Sequence, residues 1–120
     1  MWYLFGIVKL EGLANEVGGG FADSPLQTVS FQEIAVVVQE LPVWNVNESQ
    51  KADLLQKLLI HQKTLEKIMQ ETFVLPIKFG CVVESLQDIQ GILKRGYPLF
   101  CQAFQELNDK MEINLTVTWD

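Results

Sequence analysis

One histidine and two cysteines are all that this 120-residue sequence offers to the side-chain chemistries that most often mark an enzyme or a metal site. Cys81 and Cys101 have no second Cys or His at ligand spacing, and zinc takes four ligands, so no metal or cofactor is expected. Basic residues are scarce too: 9 Lys and Arg against 15 Asp and Glu leave a net charge of −6. Only Lys94 and Arg95 sit side by side; no basic stripe exists to neutralise phosphates, and nucleic acid is not an expected partner. Long apolar runs are missing as well. The opening "MWYLFGIVKLEG" is cut off by Lys9 far short of the ~20 residues a membrane span needs, and it lacks the basic residues of a secretion signal. A cytoplasmic chain is expected, with reduced thiols that serve as small buried apolar groups.

What is present is an ordinary globular composition, 48% hydrophobic and 20% charged, on a length that suits one domain covering residues 1–120. Residues 2–9 are aromatic and β-branched without a helical period and read as a strand. Strict alternation puts Trp2, Leu4 and Val8 on one face and Tyr3, Phe5 and Ile7 on the other. "EGLANEVGGGFADSP", 11–25, is loop by composition; its Gly18-Gly19-Gly20 run lacks the G-x-G-x-x-G spacing of a phosphate cradle. Residues 26–31 and 33–41 form a hairpin around a tight turn, with Ile34, Val36 and Val38 opposed to Ala35 and Val37.

Residues 49–71 carry apolar side chains in the i, i+3, i+4 rhythm of a helix, with Asn47 or Ser49 as its cap and Asp53–Lys57 as an ion pair one turn apart. "TFVLPIKF" returns to strand, with Leu75, Ile77 and Phe79 in one register and Lys78 beside Val74 and Pro76 in the other. Ser85 opens a short helix that Gly96 ends, and Pro98 starts another whose buried face is Phe100, Ala103, Phe104 and Leu107. Glu112 to Trp119 alternates cleanly and reads as a last strand. The order β, β, β, α, β, α, α, β fits an α+β, ferredoxin-like open sandwich: a mostly antiparallel sheet with helices on one face. The other face would then be uncovered and apolar, an expected site of self-association.

Two residues deserve a test as chemistry. His61 lies at the edge of the helical stripe, without a nucleophile motif or carboxylate cluster, and reads as a satisfied helix histidine. Lys78 is the one cation within "FVLPIKFGCVVES", residues 73–85. Either its stem lies on the sheet with the ammonium in water, or the cation is held for an acidic group of another chain or domain, since Pro76 implies an irregular edge. Glu33 with Glu40, and Glu84 with Asp88, read as solvated faces.

"WYLFGIV", "EIAVVVQELP", "HQKTLEKIM", "VLPIKFGCVVES" and "MEINLTV", in that order, resemble the N-terminal half of the gas vesicle protein F/L family over essentially the whole chain. The resemblance implies a ferredoxin-like domain that the family pairs with a helical C-terminal domain, here absent. It also implies a structural or accessory protein of gas vesicles, the hollow shells that give buoyancy. Such a protein associates with the small hydrophobic shell protein during assembly, and with other accessory proteins, and it carries no catalytic residues. The family's Pro-Ile-Lys-Phe-Gly signature falls on Pro76 to Gly80, and its histidine on His61. Many relatives carry Arg where this chain has Lys78, and a lysine lacks the fork that grips a carboxylate bidentately. Pro76, Lys78 and Phe79 are therefore the candidate partner contact. Two other readings compete: a dimeric α+β domain that binds a small ligand, and a small enzyme that brings His61 and Lys78 into one pocket.

Overall fold

The computed structural model describes residues 1–10, 20–21, 25–42, 44 and 50–107, and the backbone of 108–117. The loop expected over 11–25 lies mostly outside these residues, and so do the caps expected at Asn47 and Ser49. The elements are β1 (Trp2–Lys9), β2 (Gln27–Phe31), β3 (Ile34–Glu40), α1 (Lys51–Met69), β4 (Val74–Pro76), β5 (Val82–Val83) and α2 (Leu86–Val117). β1 is central: it pairs antiparallel with β3 on one side and with β4 and β5 on the other, while β2 flanks β3. The fold is α+β with an open antiparallel sheet, consistent with a ferredoxin-like open sandwich.

The hairpin forms as its alternation implies, with Phe31 opposite Ile34. Gln32 turns the corner at φ 53, a left-handed conformation that a non-glycine residue adopts at a cost. β1 departs from strict alternation. Leu4 pairs with Val38 and Gly6 with Val37, so Phe5 is the extra residue of a β-bulge. The bulge exchanges the two residues after it: Ile7 joins Leu4 on one face and Val8 joins Tyr3 and Phe5 on the other. Gly6 is required there, because a Cβ would lie 2.6 Å from Val74 Cγ1 and 3.2 Å from the Leu75 carbonyl oxygen.

The helices do not share a face. Leu65 and Ile68 of α1 pack on Tyr3, Phe5, Val8, Ala35 and Val37, whereas Ile89, Leu93 and Phe104 of α2 pack on Leu4, Ile7, Ile34, Val36 and Val38. The strands are apolar on both sides because both sides are covered. The open face expected to mediate self-association is therefore occupied by α2.

α2 also corrects the expectations of a helix break at Gly96 and of a strand from Glu112, since it is helical from Leu86 to Val117 with Pro98 inside it. Ser85 caps it, its Oγ accepting from the Asp88 N–H at 3.2 Å. Gly96 does not end the helix; its missing side chain makes room for the Phe100 ring, 2.6 Å from where a Cβ would sit. Pro98 removes one helical hydrogen bond, and the buried residues on both sides of it, Leu93 and Phe104, hold the helix to the sheet across that gap. Beyond them the helix extends with one local bond per residue, whereas a strand would need an edge to pair with.

Candidate functional site

The segment 73–85 runs along the free side of β1 in two short pieces with a turn between them. β4 pairs Val74, Leu75 and Pro76 with Val8, Ile7 and Gly6; β5 pairs Val82 and Val83 with Tyr3 and Trp2. Pro76, which has no N–H to offer a ladder, is the last residue of β4. The Ile77 N–H still donates to the Phe5 carbonyl at 3.0 Å, and the Leu4 N–H to the Cys81 carbonyl at 3.0 Å. Between these anchors the chain leaves the sheet at Lys78, Phe79 and Gly80. Gly80 has φ +88 with no atom within 4 Å of a built Cβ, so it is glycine for backbone reasons alone.

The turn rests on a relay of hydrogen bonds. The Gly80 N–H donates to Tyr3 Oη at 3.0 Å, Tyr3 Oη lies 2.8 Å from His61 Nδ1, and His61 Nε2 lies 3.1 Å from the Ile77 carbonyl oxygen. A carbonyl only accepts, so Nε2 carries the proton, Nδ1 accepts, and the Tyr3 hydroxyl donates to it. Two side chains from distant elements thus bracket Lys78 and Phe79 by bonding the backbone on either side. Rings enclose the relay: Phe79 stands edge-on to His61 and to Trp44, each at 5.7 Å between centroids, and Tyr3 meets Trp44 at 4.7 Å. Burial pushes the Tyr3 hydroxyl up to about 12, partly opposed by the Gly80 N–H. Burial likewise holds His61 below its ordinary 6.5, with the Ile77 carbonyl opposing. Both groups are neutral near pH 7.

His61 is, as its sequence context implies, a satisfied helix histidine, with 3% of its surface exposed. Both ring nitrogens are engaged, which leaves neither a lone pair nor a proton for a substrate. Lys78 is exposed and, among the described residues, has no ion-pair partner. His61 is buried among rings, whereas Lys78 is exposed on the turn. Pro76 is exposed and Phe79 half-buried. Phe79 turns to the α1 face, away from Leu75 and Ile77, which pack toward α2; the register expected to unite the three ends where the chain leaves the sheet. Tyr3 escaped the sequence reading because a tyrosine in an apolar strand looks like any other core aromatic. The Asp53–Lys57 pair forms at 3.0 Å, but α1 starts from Gln50 without a side-chain cap. A groove of about 450 Å³ lined by Lys9, Leu10, Gln32 and Glu33 lies at the far end of the hairpin, away from this turn.

A family model described as gas vesicle synthesis protein GvpL/GvpF matches residues 1–120. The chain belongs to this family. Within the GvpL/GvpF family it is similar to gas vesicle protein F1 of Halobacterium salinarum, 20% identical over 118 residues that make up 96% of this chain and 53% of that protein. The chain thus spans about half the length of this curated relative. No solved structure matches it. Among the described residues no helix of this GvpL/GvpF chain is long and apolar enough to cross a membrane, and no group of His, Cys, Asp and Glu is arranged to hold a metal ion.

Proposed function

We propose that this chain takes part in gas vesicle assembly as a non-enzymatic protein that binds the small hydrophobic shell protein, acting at the gas vesicle within the cytoplasm and so supporting buoyancy. Membership of a gas vesicle synthesis family supports the assembly role. Pro76, Lys78 and Phe79 form the contact, with other accessory proteins as further partners. The observation that carries this reading is the mounting of Lys78. A cation without an ion-pair partner among the described residues, in a chain of net charge −6, stands beside an exposed proline and a half-buried phenylalanine on a turn pinned from beneath by Tyr3 and His61. A carboxylate of the partner meets the ammonium, and apolar surface meets Pro76 and the edge of Phe79.

Capture of purified shell protein by the chain tests this, with Lys78→Glu as the comparison. Capture by the native chain that Lys78→Glu abolishes, at unchanged circular dichroism, is the expected result. Equal capture by both moves the contact away from the turn. No capture by either, together with a stable homodimer in solution, favours a dimeric ligand-binding domain instead.

A further inference from the structure

We propose that Tyr3 and His61 are positioning residues for the contact at Lys78: together they hold the Ile77–Gly80 turn in the shape that displays the lysine, and acid releases it. This rests on the reading that the turn is the contact. The relay works in one direction only. Because the Ile77 carbonyl must accept from Nε2, Nδ1 is the acceptor for the Tyr3 O–H, and the Tyr3 oxygen stays free to accept from the Gly80 N–H. A proton added at Nδ1 sets two donors against each other across 2.8 Å. The hydroxyl must then turn its hydrogen into a cluster of rings, and the bond that fixes Gly80 is lost or weakened.

Among the described residues nothing nearby compensates an imidazolium. From β1 the ring faces Tyr3 and Phe5, and from the turn it faces Phe79 and the Ile77 carbonyl. One helical turn earlier on α1 stands Lys57, a like charge, paired with Asp53 and 5.9 Å from the Trp44 ring centroid. Lys78 is a second cation and is exposed; Cys81 acts on the Tyr3 hydroxyl. No carboxylate among the described residues pairs with His61. The sign follows from burial, which lowers the pKa of His61 in the folded chain: the closed turn is fully favoured above pH 6.5 and is lost as pH falls from there through the folded-state value. The residues so controlled lie between the two bonded backbone groups, so opening disorders the display of Lys78 and leaves the ladder of β1 with β3 in place.

The test is amide exchange followed by NMR on the whole chain at about pH 7.5 and about pH 5, which bracket histidine titration. Protection of the Gly80 amide is compared with that of Val36 and Val38, whose strand pairs with β1. In the native chain Gly80 protection should fall by up to about tenfold for each pH unit between 6.5 and the folded-state value, while β3 protection holds. His61→Gln keeps a donor for Ile77 but does not titrate, so its Gly80 protection should be independent of pH. Tyr3→Phe, which keeps the ring, should show low Gly80 protection at both values. A native Gly80 that ignores pH, a His61→Gln chain that responds like the native one, or β3 amides that fall in step with Gly80 each overturn the proposal. Shell-protein capture at the same two pH values is read separately. Capture that falls with Gly80 protection supports the positioning role, and capture that persists after the turn opens overturns it. Absence of capture at both values overturns the contact reading instead, while acid release of the turn still stands or falls on exchange alone.

Discussion

Under α2 the sheet is dry: Leu4, Ile7, Ile34, Val36 and Val38 meet Ile89, Leu93 and Phe104, all buried and none with a polar side-chain atom. Under α1 the same strands present Tyr3 and Gln39, and the helix answers with His61 and Thr64. Each of these polar groups has at least one partner outside the regular elements. Gln39 Oε1 accepts from the Phe21 N–H at 2.7 Å, and Thr64 Oγ1 from the Gly20 N–H at 3.1 Å; Tyr3 and His61 hold the turn at 77–80. One face supplies cohesion without direction. The other uses buried hydrogen bonds, costly to leave unmade, to fix where two irregular segments run.

The comparison breaks most visibly at Phe104. Truncation to Ala removes a fully buried ring from the apolar cluster beneath α2, leaves a cavity there, and should cost about 3–5 kcal/mol in urea unfolding, a large part of the stability of a domain this size. A loss below about 1 kcal/mol would mean that α2 is not docked as described. Tyr3→Phe comes next. It keeps the ring contacts and deletes one oxygen, orphaning the Gly80 N–H and His61 Nδ1, and should cost about 1–3 kcal/mol. The pH dependence separates the faces further: the contribution of neutral His61 is complete above pH 6.5 and fades as pH falls toward its lowered folded-state value. Phe104→Ala should leave that slope of stability against pH unchanged, and His61→Gln should remove it. Gly80→Ala should cost about 1–2 kcal/mol, the price of a left-handed residue with a side chain. Since no neighbour would touch the new methyl, the loss should be independent of pH.

Much of this was legible in the chain, and what was not has local causes. The alternation of residues 34–38 and the helical rhythm of 51–69 reflect burial of one residue after another against fixed neighbours, so they read directly. The α1 histidine was legible for the same reason, as a member of that rhythm. Side assignments in β1 failed after Phe5, because a bulge is a choice between two registers that depends on where Val74 and Leu65 crowd Gly6, contacts made by residues about sixty positions away. Gly96 and Pro98 are stop signals by propensity; Phe100 packing on the one, and buried residues flanking the other, override them. The second helical face was missed because apolar residues on both sides of a strand do not say what covers each side. At the turn, Lys78 was legible as the exception in an apolar run, but the relay beneath it joins positions 3, 61, 77 and 80 and has no local signature.

The smallest effect expected is the one that separates display from structure. Lys78 is exposed with no ion-pair partner among the described residues, and the groups that shape its turn are the backbone atoms of Ile77 and Gly80, so Lys78→Glu should change unfolding free energy by no more than about 0.5 kcal/mol. The same change reverses a charge at the proposed contact and should remove capture of the shell protein, the opposite pattern to Phe104→Ala, which weakens the fold without touching the turn. A cost above about 1 kcal/mol for Lys78→Glu would make the lysine part of the fold's own electrostatics. The α1 face would then be a polar core like many others, with nothing held out for a partner. Near-neutral stability with capture lost would show that its buried hydrogen bonds work for a residue that the fold itself does not need.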